Sequence, residues 1–241
     1  MIKLDNAVSG EGNAVVALTG LPAPGTPGED ADIERRIAGL MPEAEGVTAD
    51  AYLRKLVAQG GVIEERITGR ELRSPSVQLQ IAPTGAVQVL STHDQILSGR
   101  SGQQFVGSRF PADPSYAPGI SALACRAAEH LAEIGVIGRL SIDFIVSGTD
   151  DGRWQPFALE VNLRMGGTTH PFQALARLTG GSYDPLSASF ATPQGLPRHY
   201  VANDHLEIPR LRDLGATGVL AQAVKKNLHF DHNIPFPKRG L

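Results

Sequence analysis

The chain of 241 residues is 41% hydrophobic and 20% charged, enough apolar material to bury a substantial core as one or two compact units. Its 22 basic and 25 acidic residues give a net charge of -3, and the basic ones are scattered, which argues against nucleic acid or an anionic membrane as partner. No apolar run reaches the ~18 residues of a membrane span, the first residues lack a secretory leader, and Cys125 is alone, so there is no internal disulfide or cysteine metal cluster; a cytoplasmic location is the expectation.

Ile2, Lys3 and Leu4 read as a short strand, Ser9, Gly10, Gly12 and Asn13 as parts of a glycine loop, and residues 14–18 as a second strand. Such a loop can fold backbone N–H groups around a phosphate while Lys3 reaches the same anion, although a plain hairpin turn fits these residues as well. It is not a P-loop, for the Lys-Ser/Thr pair and the following helix are missing. After a Pro- and Gly-rich loop over residues 20–28, the spacing of Ile33, Ile37 and Leu40 predicts a helix over 30–41. Tyr52, Leu53, Leu56 and Val57 predict another over 48–59. A charge-rich strand end follows at 61–71. Strict alternation then predicts a hairpin, with Val77, Leu79, Ile81, Val87 and Val89 facing the core.

His93 reads as a surface or hydrogen-bonded histidine, and residues 107–113 as a loop. Ile120, Leu123, Ala124, Ala127, Ala128, Leu131 and Ile134 form a helical stripe over 118–136 that should lie on the next strands, with Cys125 a small apolar residue beside it. Arg139 either reaches the site described next or ends a strand. A short helix over 172–179, stopped by Gly180 and Gly181, and a second over 216–226 complete the expected elements, and residues 234–241 read as an unpacked tail. His229 and His232 lack the partners of a second metal site.

Residues 141–171 carry the most information. Asp143 lies in an apolar, β-branched run, and Glu160, Asn162 and Arg164 alternate with Val161, Leu163 and Met165, which predicts a hairpin turning at Asp150, Asp151 and Gly152. With a side-chain period of two, Glu160, Asn162 and Arg164 share one face. If Asp143 faces the same way, two acids, an amide and a guanidinium converge. Oxygen ligands of this kind suit a hard cation such as Mg²⁺, and Arg164 suits an oxyanion held by the same metal. The bland alternative is the solvated face of an edge hairpin. Gly166, Gly167, Thr168 and Thr169 at a helix start add backbone donors for an anion.

On these residues the chain resembles the ATP-grasp carboxylate-amine ligases, and the wording of residues 160–172 looks like the branch that includes the pheganomycin-type peptide ligases. The resemblance implies that Asp143, Glu160 and Asn162 hold Mg²⁺ on ATP, that Lys3 with Ser9, Gly10, Gly12 and Asn13 covers the phosphates, and that Arg164 stabilises the acyl phosphate or tetrahedral oxyanion. It also implies that Glu64 and Arg66 to Ile67 form the adenine edge and that Glu71 takes the ribose. The expected fold is α+β: a small lid over residues 1–70, a larger antiparallel sheet-and-helix part over 71–181, and a partly irregular extension over 182–241.

The function so implied is an ATP- and Mg²⁺-dependent ligase joining a small-molecule or peptide carboxylate to an amine. Set against the family pattern, the chain reads as a fragment without the preceding α/β domain and the far end. The alternative is then a non-catalytic nucleotide-binding fragment. A metal-dependent hydrolase using His170 is opposed by the missing H-x-x-x-H or Cys cluster. Substrate identity and oligomeric state stay open.

Overall fold

The computed structural model describes residues 1–7, 10–99, 102–205 and 207–226. In chain order the elements are β1 (Ile2–Leu4), β2 (Asn13–Val15), α1 (Glu29–Ala38), β3 (Met41–Pro42), α2 (Ala49–Gln59), β4 (Gly61–Ile63) and β5 (Leu72–Arg73). Then come β6 (Pro75–Ile81), β7 (Val87–Ser98), β8 (Gln104–Phe110), α3 (Ala117–Glu133), β9 (Gly138–Gly148), β10 (Trp154–Asn162) and α4 (Thr169–Thr179). The chain continues through β11 (Ser182–Asp184), β12 (Ser189–Ala191), β13 (Tyr200–Asn203), a 3-10 turn (Pro209–Leu214) and α5 (Gly215–Lys225). His229, His232 and the tail expected over 234–241 lie outside the described residues. Among the described residues no helix is long and apolar enough to cross a membrane.

The first sheet has the order β3-β2-β1-β4 and is covered by α1 and α2. Its small core is Ile2, Ala14, Leu40 and Tyr52, all buried, with Ile37, Leu53 and Leu56 packed against them. Thr48 caps α2 by accepting from the Ala51 N–H at 3.2 Å, which satisfies one of the donors a helix start leaves free. Buried Tyr52 donates toward the carbonyls of Gly12 at 2.8 Å and Ile2 at 3.1 Å. It therefore ties α2 to the base of the glycine loop. Tyr52→Phe leaves both carbonyls without that donor, and a urea titration should show a loss of about 1–2 kcal/mol.

The second sheet runs β10-β9-β6-β7-β8-β13, with β5 also paired to β9, and every pairing is antiparallel. One face carries Val77, Leu79, Ile81, Leu140, Ile142, Phe144 and Val146 against α3, as the alternation of the hairpin predicts. Burying each large side chain contributes roughly 1.5–3 kcal/mol. The contact side of α3 keeps Ile120, Ala124, Ala128 and Leu131 of the expected stripe but not its other large residues. Ala117, Ile120, Ser121, Ala124 and Ala128 face the sheet, while Leu123 and Ile134 are 38% and 68% exposed. Small residues let the helix approach β6 and β7 closely, and the bulkier ones turn outward.

Residues 107–113, expected to be a loop, largely belong to β8, which pairs with both β7 and β13. Phe110, Leu175 and Phe190 are buried there with Phe172, Tyr183 and Tyr200 packed on them. This aromatic cluster pins α4 and the β11–β12 hairpin over the other face of the sheet. The sheet is thus buried on both sides at its β7–β8 end, while its β10 edge stays open. Val161, Leu163 and Met165 at that edge remain about half exposed, because α3 lies over β6 and β7 rather than over the hairpin.

Candidate nucleotide and metal site

Asp143 lies opposite Glu160 in the β9–β10 ladder, and Ser141 lies opposite Asn162. Directly opposed residues share a face of the sheet. The register shifts between Ala158 and Glu160, so that Leu159 is the extra residue of a β-bulge. Without that bulge Leu159 would oppose Asp143, and Glu160 would fall on the apolar face. The bulge is what brings the two carboxylates together.

Asp143 is deeply set and heavily bonded. Ser76 donates to its Oδ1 at 2.6 Å, Asn162 Nδ2 donates to its Oδ2 at 3.3 Å, and Gln95 adds a side-chain hydrogen bond. Burial pushes its carboxyl above the usual range and the facing Glu160 adds to that, while the hydrogen bonds and the Arg164 charge pull the other way. Arg164 stands just beyond the end of β10 with an exposed side chain. Two facing carboxylates and an amide oxygen form a donor set that suits a hard divalent cation. Among the described residues no three His, Cys, Asp or Glu side chains gather into a metal cage, so a cation here would take its other ligands from water or a phosphate-bearing substrate.

The residues expected around the phosphates and the base lie on the first sheet and on the segment leaving it. Lys3 on β1 pairs in the ladder with Asn13 on β2, and its ammonium holds Glu64 Oε2 at 2.6 Å. Gly10 adopts a left-handed φ of 80°, and a Cβ there would lie 2.5 Å from the Gln103 carbonyl oxygen. Asn13 Nδ2 donates to Gln103 Oε1 at 2.7 Å. The glycine loop is therefore docked on the turn between β7 and β8. Gly12 supplies the carbonyl that Tyr52 binds, and Ser9 lies outside the described residues.

Glu64 continues the β1–β4 ladder, its N–H donating to the Met1 carbonyl at 2.9 Å and its carbonyl accepting from the Met1 nitrogen at 2.8 Å. Its N–H and one lone pair of its carbonyl are thus engaged in extending the ladder. Arg66 and half-buried Ile67 follow in extended chain without ladder pairing. Glu71 is exposed, paired with Arg73 at 2.5 Å, and its carbonyl accepts from Gly148 N–H at 2.9 Å. A hollow at the β9–β10 turn, lined by Thr149, Asp151, Trp154 and Pro156, contains none of these residues.

Ser76 and Gln95 are absent from the expected site, and so is the full burial of His93. The available signal was Ser76 and Gln78 at period two inside an otherwise apolar strand, a pattern that either faces water or marks buried polar contacts. His93 donates to or accepts from the Tyr200 hydroxyl at 2.9 Å through Nε2, packs on Phe110 and Phe172, and is driven down to about 3 by burial. Arg139, left open above, meets the Gln173 side-chain oxygen of α4 at 2.6 Å once that amide is turned to accept.

A family model described as IQCH-like, ATP-grasp matches residues 37–185. The L-propargylglycine–L-glutamate ligase of Streptantibioticus cattleyicolor is 31% identical over 207 residues, which are 85% of this chain and 41% of that protein. The chain thus spans about two-fifths of the length of this curated relative. A biotin carboxylase–beta-gamma-ATP complex from Campylobacter jejuni superposes with a TM-score of 0.40 at 20% identity, over 60% of this chain and 32% of that one. Pyruvate carboxylase of Rhizobium etli does so with a TM-score of 0.42 at 21% identity, over 61% of this chain and 12% of that one.

Proposed function

The chain belongs to the IQCH-like ATP-grasp family, with its α+β fold, and on that premise we propose that it grips ATP and Mg²⁺ for a carboxylate–amine ligase. The observation that carries this reading is the facing pair Asp143 and Glu160, tied to Asn162 and flanked by Arg164. In this reading residues 1–70 are the lid, 71–181 the catalytic part and 182–241 an extension. Asp143, Glu160 and Asn162 position the cation, Lys3 with Gly10, Gly12 and Asn13 orients the phosphates, and Ser9 keeps the role its place in the loop implies. Glu64, Arg66 and Ile67 border the adenine, largely through backbone, and Glu71 accepts from the ribose. Lys3 must exchange its partner Glu64 for phosphate oxygens when ATP enters.

Mg²⁺, if held by Asp143, Glu160 and Asn162, would supply positive charge against the negative charge of the transferring phosphoryl group. A substrate carboxylate oxygen attacks the γ-phosphorus, ADP leaves, and an acyl phosphate forms. The amine nitrogen then attacks the acyl carbon, phosphate leaves, and the nitrogen gives up a proton to yield the amide. Arg164, just beyond the end of β10, stabilises the oxyanion of either step with its guanidinium charge. The substrates are small amino-acid-like or peptide acids and amines, consistent with the ligase to which the chain is similar.

Hydroxylamine trapping tests this reading. Incubation with Mg²⁺, ATP and a panel of amino acids should give a hydroxamate and equimolar ADP with at least one acid. Absence of both products, with nucleotide binding intact, would leave the second reading, a nucleotide-binding part without turnover of its own.

A further inference from the structure

Buried polar side chains outside the expected site line the same face of the second sheet. Ser76 and Gln78 on β6 are 2% and 7% exposed, and Ser76 lies directly opposite Asp143 in the β6–β9 ladder. Gln78 Nε2 approaches Ser76 Oγ at 3.2 Å, and Ser76 Oγ approaches Asp143 Oδ1 at 2.6 Å. The direction of each bond follows from the groups. An amide nitrogen only donates, so Gln78 occupies a lone pair of the Ser76 hydroxyl, and the single hydroxyl proton is aimed at Asp143.

On the other side of the carboxylate, Asn162 Nδ2 donates to Oδ2 at 3.3 Å. With the Gln95 bond, the Asp143 carboxylate accepts three side-chain hydrogen bonds, at least one on each oxygen, and keeps lone-pair capacity for a further ligand. The same contact turns the Asn162 carbonyl oxygen away from Asp143, free to ligate.

We propose that Ser76, held by Gln78, is a positioning residue that fixes the Asp143 carboxylate in its cation-binding orientation. The inference rests on the reading of Asp143, Glu160 and Asn162 as the cation site. A serine in a tightly packed strand is otherwise a small space-filler, and then its hydroxyl matters only to stability. The two roles separate experimentally, because partners behind a metal ligand commonly set affinity by about 10–100-fold, whereas a space-filling serine tolerates loss of its hydroxyl without changing affinity.

The test is calorimetric titration of Mn²⁺ into the full chain saturated with a non-hydrolysable ATP analogue, alongside thermal melts without metal. Ser76→Ala should weaken Mn²⁺ by about 10-fold or more with little change in melting temperature. Ser76→Thr, which keeps the hydroxyl, should restore binding to near the wild-type value. Gln78→Leu, which frees the hydroxyl to rotate, should show a smaller loss. If Ser76→Ala does not fold, Ser76→Cys keeps the volume with a weak donor and should show the same loss. Wild-type affinity in Ser76→Ala, or in Ser76→Cys where the alanine variant does not fold, overturns the positioning role while leaving the cation site intact. No metal-dependent binding in the wild type overturns the site itself, and the inference with it.

Discussion

Glu160→Ala should lower the affinity for Mg²⁺–nucleotide by about 100-fold, the scale on which removing one preorganised charge-stabilising group acts, while the melting temperature without metal holds or rises slightly. Glu160 is an exposed side chain on the edge strand β10, so its removal opens no cavity. It also faces Asp143, whose carboxyl it pushes up. Without a cation the two acids repel, and truncating one relieves that strain. With a cation the same proximity becomes the binding energy. Titration calorimetry and a thermal melt on one preparation read both sides of this trade. Val161→Ala, next in sequence but on the opposite, open face, should change neither. Unchanged nucleotide affinity in Glu160→Ala would remove this carboxylate from the site.

A steep loss of stability on acidification, carried by His93, is the second large effect. The ring is fully buried between Phe110, Phe172 and Tyr200, its Nδ1 has no hydrogen-bond partner among the described residues, and burial holds it down to about 3. In the unfolded chain the same ring protonates near 6.5. Its stabilising contribution is therefore complete above about pH 6.5, and as pH falls from there toward 3 the unfolded state takes up a proton that the folded state refuses. The loss approaches ~1.4 kcal/mol per pH unit in the middle of that window. Asp143 and Asp94, both pushed up by burial, act with the opposite sign, because their folded forms bind protons more readily. Urea titrations from pH 7 to 4 on the wild type and His93→Gln isolate the histidine as the difference in slope. Parallel slopes would mean that the ring is protonated within the fold.

Much of the fold can be read from periodicity where one strong pattern dominates. The alternation of Val77, Leu79 and Ile81 sets their face, and the turn at Asp150 to Gly152 joins β9 to β10. The bulge at Leu159 could not be read, because a one-residue slip leaves no mark in a sequence that alternates on both sides of it. It nonetheless decides that Glu160 meets Asp143. β8 was missed because Arg109 and Ser108 interrupt its apolar residues and its worth comes from Phe110, whose partners Phe172, Phe190 and Tyr200 are distant in sequence. For α3, spacing located the helix, but only the closeness of the sheet selected alanines over Leu123 and Ile134 for the contact. Ser76 was invisible as a partner because Asp143 lies on β9, three strands later in chain order though next to β6 in the sheet.

Electron paramagnetic resonance of Mn²⁺ with the protein and a non-hydrolysable ATP analogue tests the cation site most directly. Oxygen donors from β9 and β10 shared with a triphosphate predict that the free-ion signal falls on adding protein, that the bound ion shows phosphorus hyperfine coupling, and that Asp143→Ala returns the free nucleotide-complex spectrum. A wild-type spectrum identical to that of Mn²⁺ and the analogue without protein, at saturating protein, would contradict the account.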